Sequence, residues 1–214
     1  MSWEYAARYV NWLHNGKVNE AWAFDDGVYD TSTFTQNADG TYNHQLAHDP
    51  DARFWIPTQD EWMKAAYWDP NKHNGEGGYW LFPNSSDTES IPGLLPEDGG
   101  ERNAGDDGFP LDVGSFPNVQ SPWGLFDLAG GESEWSESLA SNKRVQTRRL
   151  FGTRWGEYTF GDPYFPNDII GSGRTSNVWS SSIGLRLAAA VPSLGTFPIM
   201  SVGLFYFARR RRKR

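Results

Sequence analysis

At 214 residues the chain is the size of one large domain, and its 38% hydrophobic and 21% charged residues allow a packed core and exclude wholesale disorder. The net charge of −8 includes six basic residues at 209–214; without them 13 Lys and Arg face 27 Asp and Glu, a balance of −14, which argues against nucleic acid and leaves carboxylates available for cations. There is no cysteine, so disulfides, thiolate metal sites and thiol nucleophiles are excluded within this chain.

Ser2 is placed to cap a helix running to about Leu13, with Trp3, Ala6, Ala7, Val10 and Leu13 on one face, Glu4, Arg8 and Asn11 on the other, and Gly16 as its stop. Residues 24–53 read as loop and hairpin, with a tight turn at Asp39-Gly40. His44 and His48 fall in this polar stretch and read as ordinary surface histidines; with His14 and His73 they are the only four in the chain. Thr58-Gln59-Asp60-Glu61 is a capping box, and the helix it opens carries Trp62, Ala65 and Ala66 at i, i+3 and i+4 and ends before Asp69-Pro70. Residues 70–122 are rich in Asn, Gly, Pro and Asp, and a stretch that long needs something to organise it, bound metal being one candidate. Short strands are predicted at 79–82, 111–116, 148–151 and 183–188. The 23 Gly, 13 Pro and 11 Trp together predict little regular structure around many aromatic side chains.

Residues 191–208 carry no charge over 18 positions and are followed at once by RRRRKR. This is long enough for a short membrane span, and the basic cluster would place the body outside the cytoplasm. The alternative is a buried C-terminal strand with a basic tail. The layout resembles the PEP-CTERM sorting tail of exported bacterial proteins, although Ser193-Leu194 follows Val191-Pro192 where that tail has Glu-Pro. The first residues show no basic segment followed by an apolar run, so no signal peptide is visible. The two domains expected are therefore 1–189, a folded body, and 190–214, the tail.

Four segments occur in a telling order: 2–13 (SWEYAARYVNWL), 54–69 (FWIPTQDEWMKAAYWD), 113–135 (VGSFPNVQSPWGLFDLAGGESEW) and 183–188 (IGLRLA). Together they resemble the formylglycine-generating enzyme, or sulfatase-modifying factor, domain family. The resemblance implies an α+β, irregular C-type-lectin-like fold of low regular structure, with two main helices at about 3–14 and 59–68 and short strands, to which the tail adds a C-terminal hydrophobic helix. The family domain has a substantial segment ahead of the first of these motifs, so the chain is expected to be N-terminally truncated. Catalytic members hold copper with two cysteines and oxidise a substrate cysteine, and this chain has none. Residues 148–155 (RRLFGTRW) keep only the outline of the family's Arg-rich strand and Gly-Gly-Ser-Trp, which implies an altered substrate groove.

Two calcium sites follow from the resemblance. In the segment 127–135 a glycine-bearing turn lies between two carboxylates, which can wrap one hard cation. The family's ligand positions fall on the side chains of Asp127 and Glu134 and the carbonyls of Gly130 and Glu132; Asp stands at 127 for the usual Asn, and Gly131 and Ser133 for Asn and Trp. The second set is Asn103, Ala104, Asp107 and Phe109. Ordinary acidic loops are the alternative for both. Glu132, Glu134 and Glu137 also form a carboxylate group, which metal ligation or surface exposure explains better than acid/base catalysis. Arg174 and Arg186 are expected to pin the last strand through carboxylate pairs. The chain is thus expected to be a non-catalytic, calcium-stabilised module, exported and membrane-tethered, recognising a carbohydrate or protein ligand at the cell surface. A metal-dependent, non-haem iron oxidoreductase of the same family is the alternative.

Overall fold

The first helix forms where the sequence places it. In the computed structural model, which describes residues 1–93, 99–103, 111–140, 147–152, 173–175 and 177–191, α1 (Trp3–His14) starts on Ser2, whose hydroxyl accepts the Tyr5 amide at 3.3 Å. Trp3, Ala6, Ala7, Val10 and Leu13 are buried against the body. Asn11 is a correction: it is 0% exposed rather than on the outer face. Its amide donates to the carbonyls of Tyr29 (2.7 Å) and Phe24 (3.1 Å) and accepts from the Tyr29 amide (2.8 Å). A buried side chain with every polar atom answered acts here as a clamp between helix and loop.

The loop that follows holds α2 (Trp22–Asp25), a 3-10 turn (Thr31–Thr33) and a tight turn in which Asp39 and Gly40 lie between bridged Gln36 and Tyr42. Strand β1 (Phe54–Trp55) leads into α3 (Gln59–Tyr67), whose capping box is complete: the Thr58 hydroxyl accepts the Glu61 amide and the Glu61 carboxylate accepts the Thr58 amide at 2.8 Å. Next come the antiparallel pair β2 (Trp68–Asp69) and β3 (Gly78–Tyr79), and the parallel pair β4 (Pro92–Gly93) and β5 (Arg102–Asn103).

A four-stranded sheet organises the rest. Its strands are β6 (Ser133–Leu139), β7 (Thr147–Phe151), β8 (Gly173–Thr175) and β9 (Ile183–Gly184), in the order β8-β7-β6-β9. β6 lies antiparallel to β7 and parallel to β9. The last strand, β10 (Ala188–Ala189), leaves this sheet to pair with β1. Three expectations need correction. The segment 111–116 is turn rather than strand, with Val113 94% exposed and Gly114 at φ +81°. The segment 183–188 divides into two strands in different sheets, and the predicted 79–82 strand is the two-residue β3. The C-terminal hydrophobic helix expected within 190–214 falls on residues 192–214, outside the described residues; among those described, no helix is long and apolar enough to cross a membrane.

β6 separates two clusters. On one face Trp135 packs with Trp3, Val10, Val28, Tyr29, Ile56 and Leu150; beyond the other lie Trp62, Ala66, Tyr67, Leu128 and Phe151. Five consecutive residues of β6 are buried, and four of them are Ser or Glu. Glu137 is 2% exposed, which corrects its reading as a surface carboxylate, and His48 Nδ1 lies 2.7 Å from its Oε2. His48 also stacks on Trp55, with centroids 4.8 Å apart. His44, 4% exposed, stacks on Trp3 with its Nε2 3.1 Å from Glu4. Both histidines therefore tie the loop to the body, which corrects their surface assignment. Arg148 completes the loop's attachment: buried over the Trp3 ring, it donates to the carbonyls of Glu137, Leu46 and Gln45. Burial pushes its pKa down to about 10, with Glu137 opposing, so it stays charged at neutral pH.

Two expected outcomes follow. Asn11→Ala orphans the Tyr29 amide and carbonyl and should cost about 2–4 kcal/mol in urea unfolding; a loss below about 1 kcal/mol would show that the clamp carries little. Burial raises the Glu137 pKa above its ordinary 4.5, with the His48 contact offsetting part. A carboxyl with a raised folded pKa holds its proton more tightly folded than unfolded, so its stabilising contribution declines as pH rises from 4.5 through the folded pKa. Glu137→Gln removes that titration, so over this window the wild-type chain should lose stability relative to the variant. Parallel stability–pH curves for the two proteins would count against it.

Candidate functional site

The turn into β6 is built from left-handed backbone. Asp127 (φ +58°), Gly130 (+76°) and Gly131 (+75°) occupy conformations that glycine adopts freely and Asp tolerates, and they curl the chain back on itself within five residues. The Asp127 carboxylate steadies the turn by accepting the Gly114 amide at 2.7 Å. The turn ends in β6, which carries Glu134 inward, 9% exposed.

A buried carboxylate needs donors, and Glu134 has three. Arg186, between β9 and β10, donates from Nε to Oε2 at 2.9 Å and from Nη2 to Oε1 at 2.8 Å, a two-pronged fork. The Trp62 indole donates to Oε2 at 2.7 Å. The expectation that Arg186 pins the end of the chain through a carboxylate holds. The side chain of Arg174 is outside the description, and its backbone pairs with Arg148. Nothing local in the sequence signals the part played by Trp62, since its partner lies 72 positions away.

Above this pair lies a cavity of about 610 Å³. Leu111, Val113, Phe116, Phe126, Leu185 and Leu187 supply apolar wall, while Asp127, Gly130, Glu132, Glu134 and Arg186 also line it. The four first-site positions are thus brought to one place. Glu132 also reaches the chain start: burial lowers the pKa of the Met1 ammonium, and the Glu132 charge offsets part of that. Of the second set only Asn103, paired through β5 with Gly93, lies among the described residues; Ala104, Asp107 and Phe109 lie outside them.

The first set fits a hard cation in kind. Two carboxylates and two main-chain carbonyls are all-oxygen donors, and the carboxylate of Glu134, with three donors, keeps room for one more contact on its roughly four lone-pair sites. Among the described residues no three His, Cys, Asp or Glu side chains cluster tightly enough to hold a metal by themselves. A cation at this turn therefore depends on main-chain oxygen as well.

The fold has counterparts among known proteins. The crystal structure of CarF superposes with a TM-score of 0.54 at 19% identity, over 89% of this chain and 66% of CarF. Treponema denticola variable protein 1 does so at 0.51 and 19%, over 88% of this chain and 69% of that protein. The chain thus spans about two thirds of the length of each, and at this identity the likeness shows a shared fold. The sequence model of the sulfatase-modifying factor enzyme 1-like domain matches residues 1–191, and the chain, with its irregular fold and glycine turn running into β6, belongs to that family.

Proposed function

We propose that the chain is a non-catalytic recognition module, stabilised by calcium at Asp127, Gly130, Glu132 and Glu134, with the cavity beside Glu134 as its ligand seat. The observation that carries this reading is the state of Glu134: this cavity-lining carboxylate is held by Arg186 and Trp62 as a structural anchor. A general acid or base needs a carboxyl free to reach a substrate, and both oxygens of Glu134 are engaged by the guanidinium fork and the indole. The absence of cysteine from the chain removes the thiols that the family's copper chemistry uses. His44 and His48, the histidines an iron reading would draw on, are engaged with Trp3 and with Glu137.

The cavity volume falls in the range of small-ligand sites, and its apolar walls with a few polar groups suit a sugar ring or a peptide side chain. Phe126, partly exposed at the rim, and Trp123 nearby, 51% exposed, offer aromatic faces for stacking. We place calcium at Asn103, Ala104, Asp107 and Phe109 as a second site, and the module outside the cell membrane, held by residues 191–208.

The calcium part is tested on the full chain in detergent by near-UV circular dichroism during heating, with calcium and with excess chelator. Calcium at about tenfold above its Kd should raise Tm by about 3–5 °C. Asp127→Asn, which keeps an oxygen and drops the charge, should shrink that rise. Identical melting in calcium and chelator would overturn it.

A further inference from the structure

Arg186 does more than pair with Glu134. Its Nη2 also donates to the carbonyl of Phe126 at 3.0 Å and lies 3.5 Å from the carbonyl of Asp127. Main-chain oxygens from the start of the turn and the carboxylate at its end thus converge on one guanidinium. Of the four calcium positions proposed above, Glu134 is the one this guanidinium occupies, so the two cations would compete for that carboxylate.

We infer that Arg186 is a built-in competitor for calcium at the 127–134 turn: it holds Glu134 when the turn is metal-free, and calcium gains Glu134 as the fork opens. The inference rests on the calcium reading above. Glu134 is buried, so its charge needs a partner in either state. A calcium ion bound to either of its oxygens stands beside the guanidinium, like charge against like charge in a partly buried place where solvent screens poorly. The Arg186 side chain is 23% exposed, which gives it a way out toward the cavity it already lines. Trp62 is neutral and can keep its bond to Oε2 throughout, so it anchors Glu134 without competing.

The test is calorimetric titration of calcium into the chelator-treated full chain, comparing wild type with Arg186→Met and Arg186→Lys. Methionine keeps the bulk and removes the charge, and should tighten calcium binding about tenfold or more, the effect of removing a like charge in direct contact. Lysine keeps the charge but cannot fork to both oxygens, and should fall between. Melting gives an independent readout: Arg186→Met should melt below wild type in chelator and gain more from calcium. If wild type and Arg186→Met bind calcium equally, the calcium reading stands and the competition is overturned. If only Arg186→Met binds, the competition stands in its strongest form and the wild-type chain is metal-free. If neither binds, both fall. Should Arg186→Met fail to fold in chelator, folding on calcium addition supports the inference; if it folds in neither condition, an Arg186→Lys affinity equal to wild type overturns it.

Discussion

Everything in this fold answers to the burial of two carboxylates on one strand. β6 carries Glu134 toward α3 and Glu137 toward His48 in the loop after α2, with Trp135 between them filling the larger cluster. Removing one partner from a buried ion pair costs about 3–5 kcal/mol, because the survivor is left charged and dry. The partners must therefore be in place for β6 to be central at all. They come from remote parts of the chain: His48 from the loop after α2, Trp62 from α3, Arg186 from the stretch after β9. Two of these contacts fix a loop, and one a helix, against the sheet.

This explains which parts of the fold are legible in the sequence. α1 and α3 are written locally, in a cap, an apolar stripe and a capping box within a few residues of one another, and they form at the predicted places. The Asp39-Gly40 turn is equally local. β6 is not, because SEWSESL has the composition of a surface strand. Its burial becomes intelligible only with partners 52, 72 and 89 positions away. The same remoteness hides Asn11, which looks like an outer-face residue until the loop that it clamps folds over it. The predicted strand at 111–116 fails for the opposite reason. Leu111 and Val113 alternate with polar neighbours, but Gly114 turns the backbone, Val113 is left largely in solvent and Phe116 falls out of step, so these residues edge a cavity in place of a sheet.

The site is legible to a similar depth. The spacing of Asp127, Gly130, Glu132 and Glu134 marks a glycine turn between carboxylates, and all four residues line one cavity. Spacing says nothing of what fills such a turn, since any cation of suitable reach satisfies it. In the structure Arg186 reaches Glu134 from the IGLRLA segment, where the sequence predicts a carboxylate pair for it without naming the partner.

A guanidinium and a hard dication make different demands on the same oxygens. The guanidinium accepts fixed, planar, forked geometry and brings its own tether, so the turn it fills is specified by the fold and insensitive to the medium. A dication gathers six to eight oxygens with loose angular preference and comes and goes with its concentration. Under the proposed competition the turn would have two ways of closing: in the one observed Arg186 is held on Glu134, and in the other it would face whatever sits between Phe126 and Leu187. The ligand's charge then decides which closure it favours, because a ligand shifts such an equilibrium only by its difference in affinity for the two states. An anionic group gains from a released arginine, and an uncharged ring is nearly indifferent. Under that proposal ligand charge and calcium dependence would be one question at this site, joined through a single side chain.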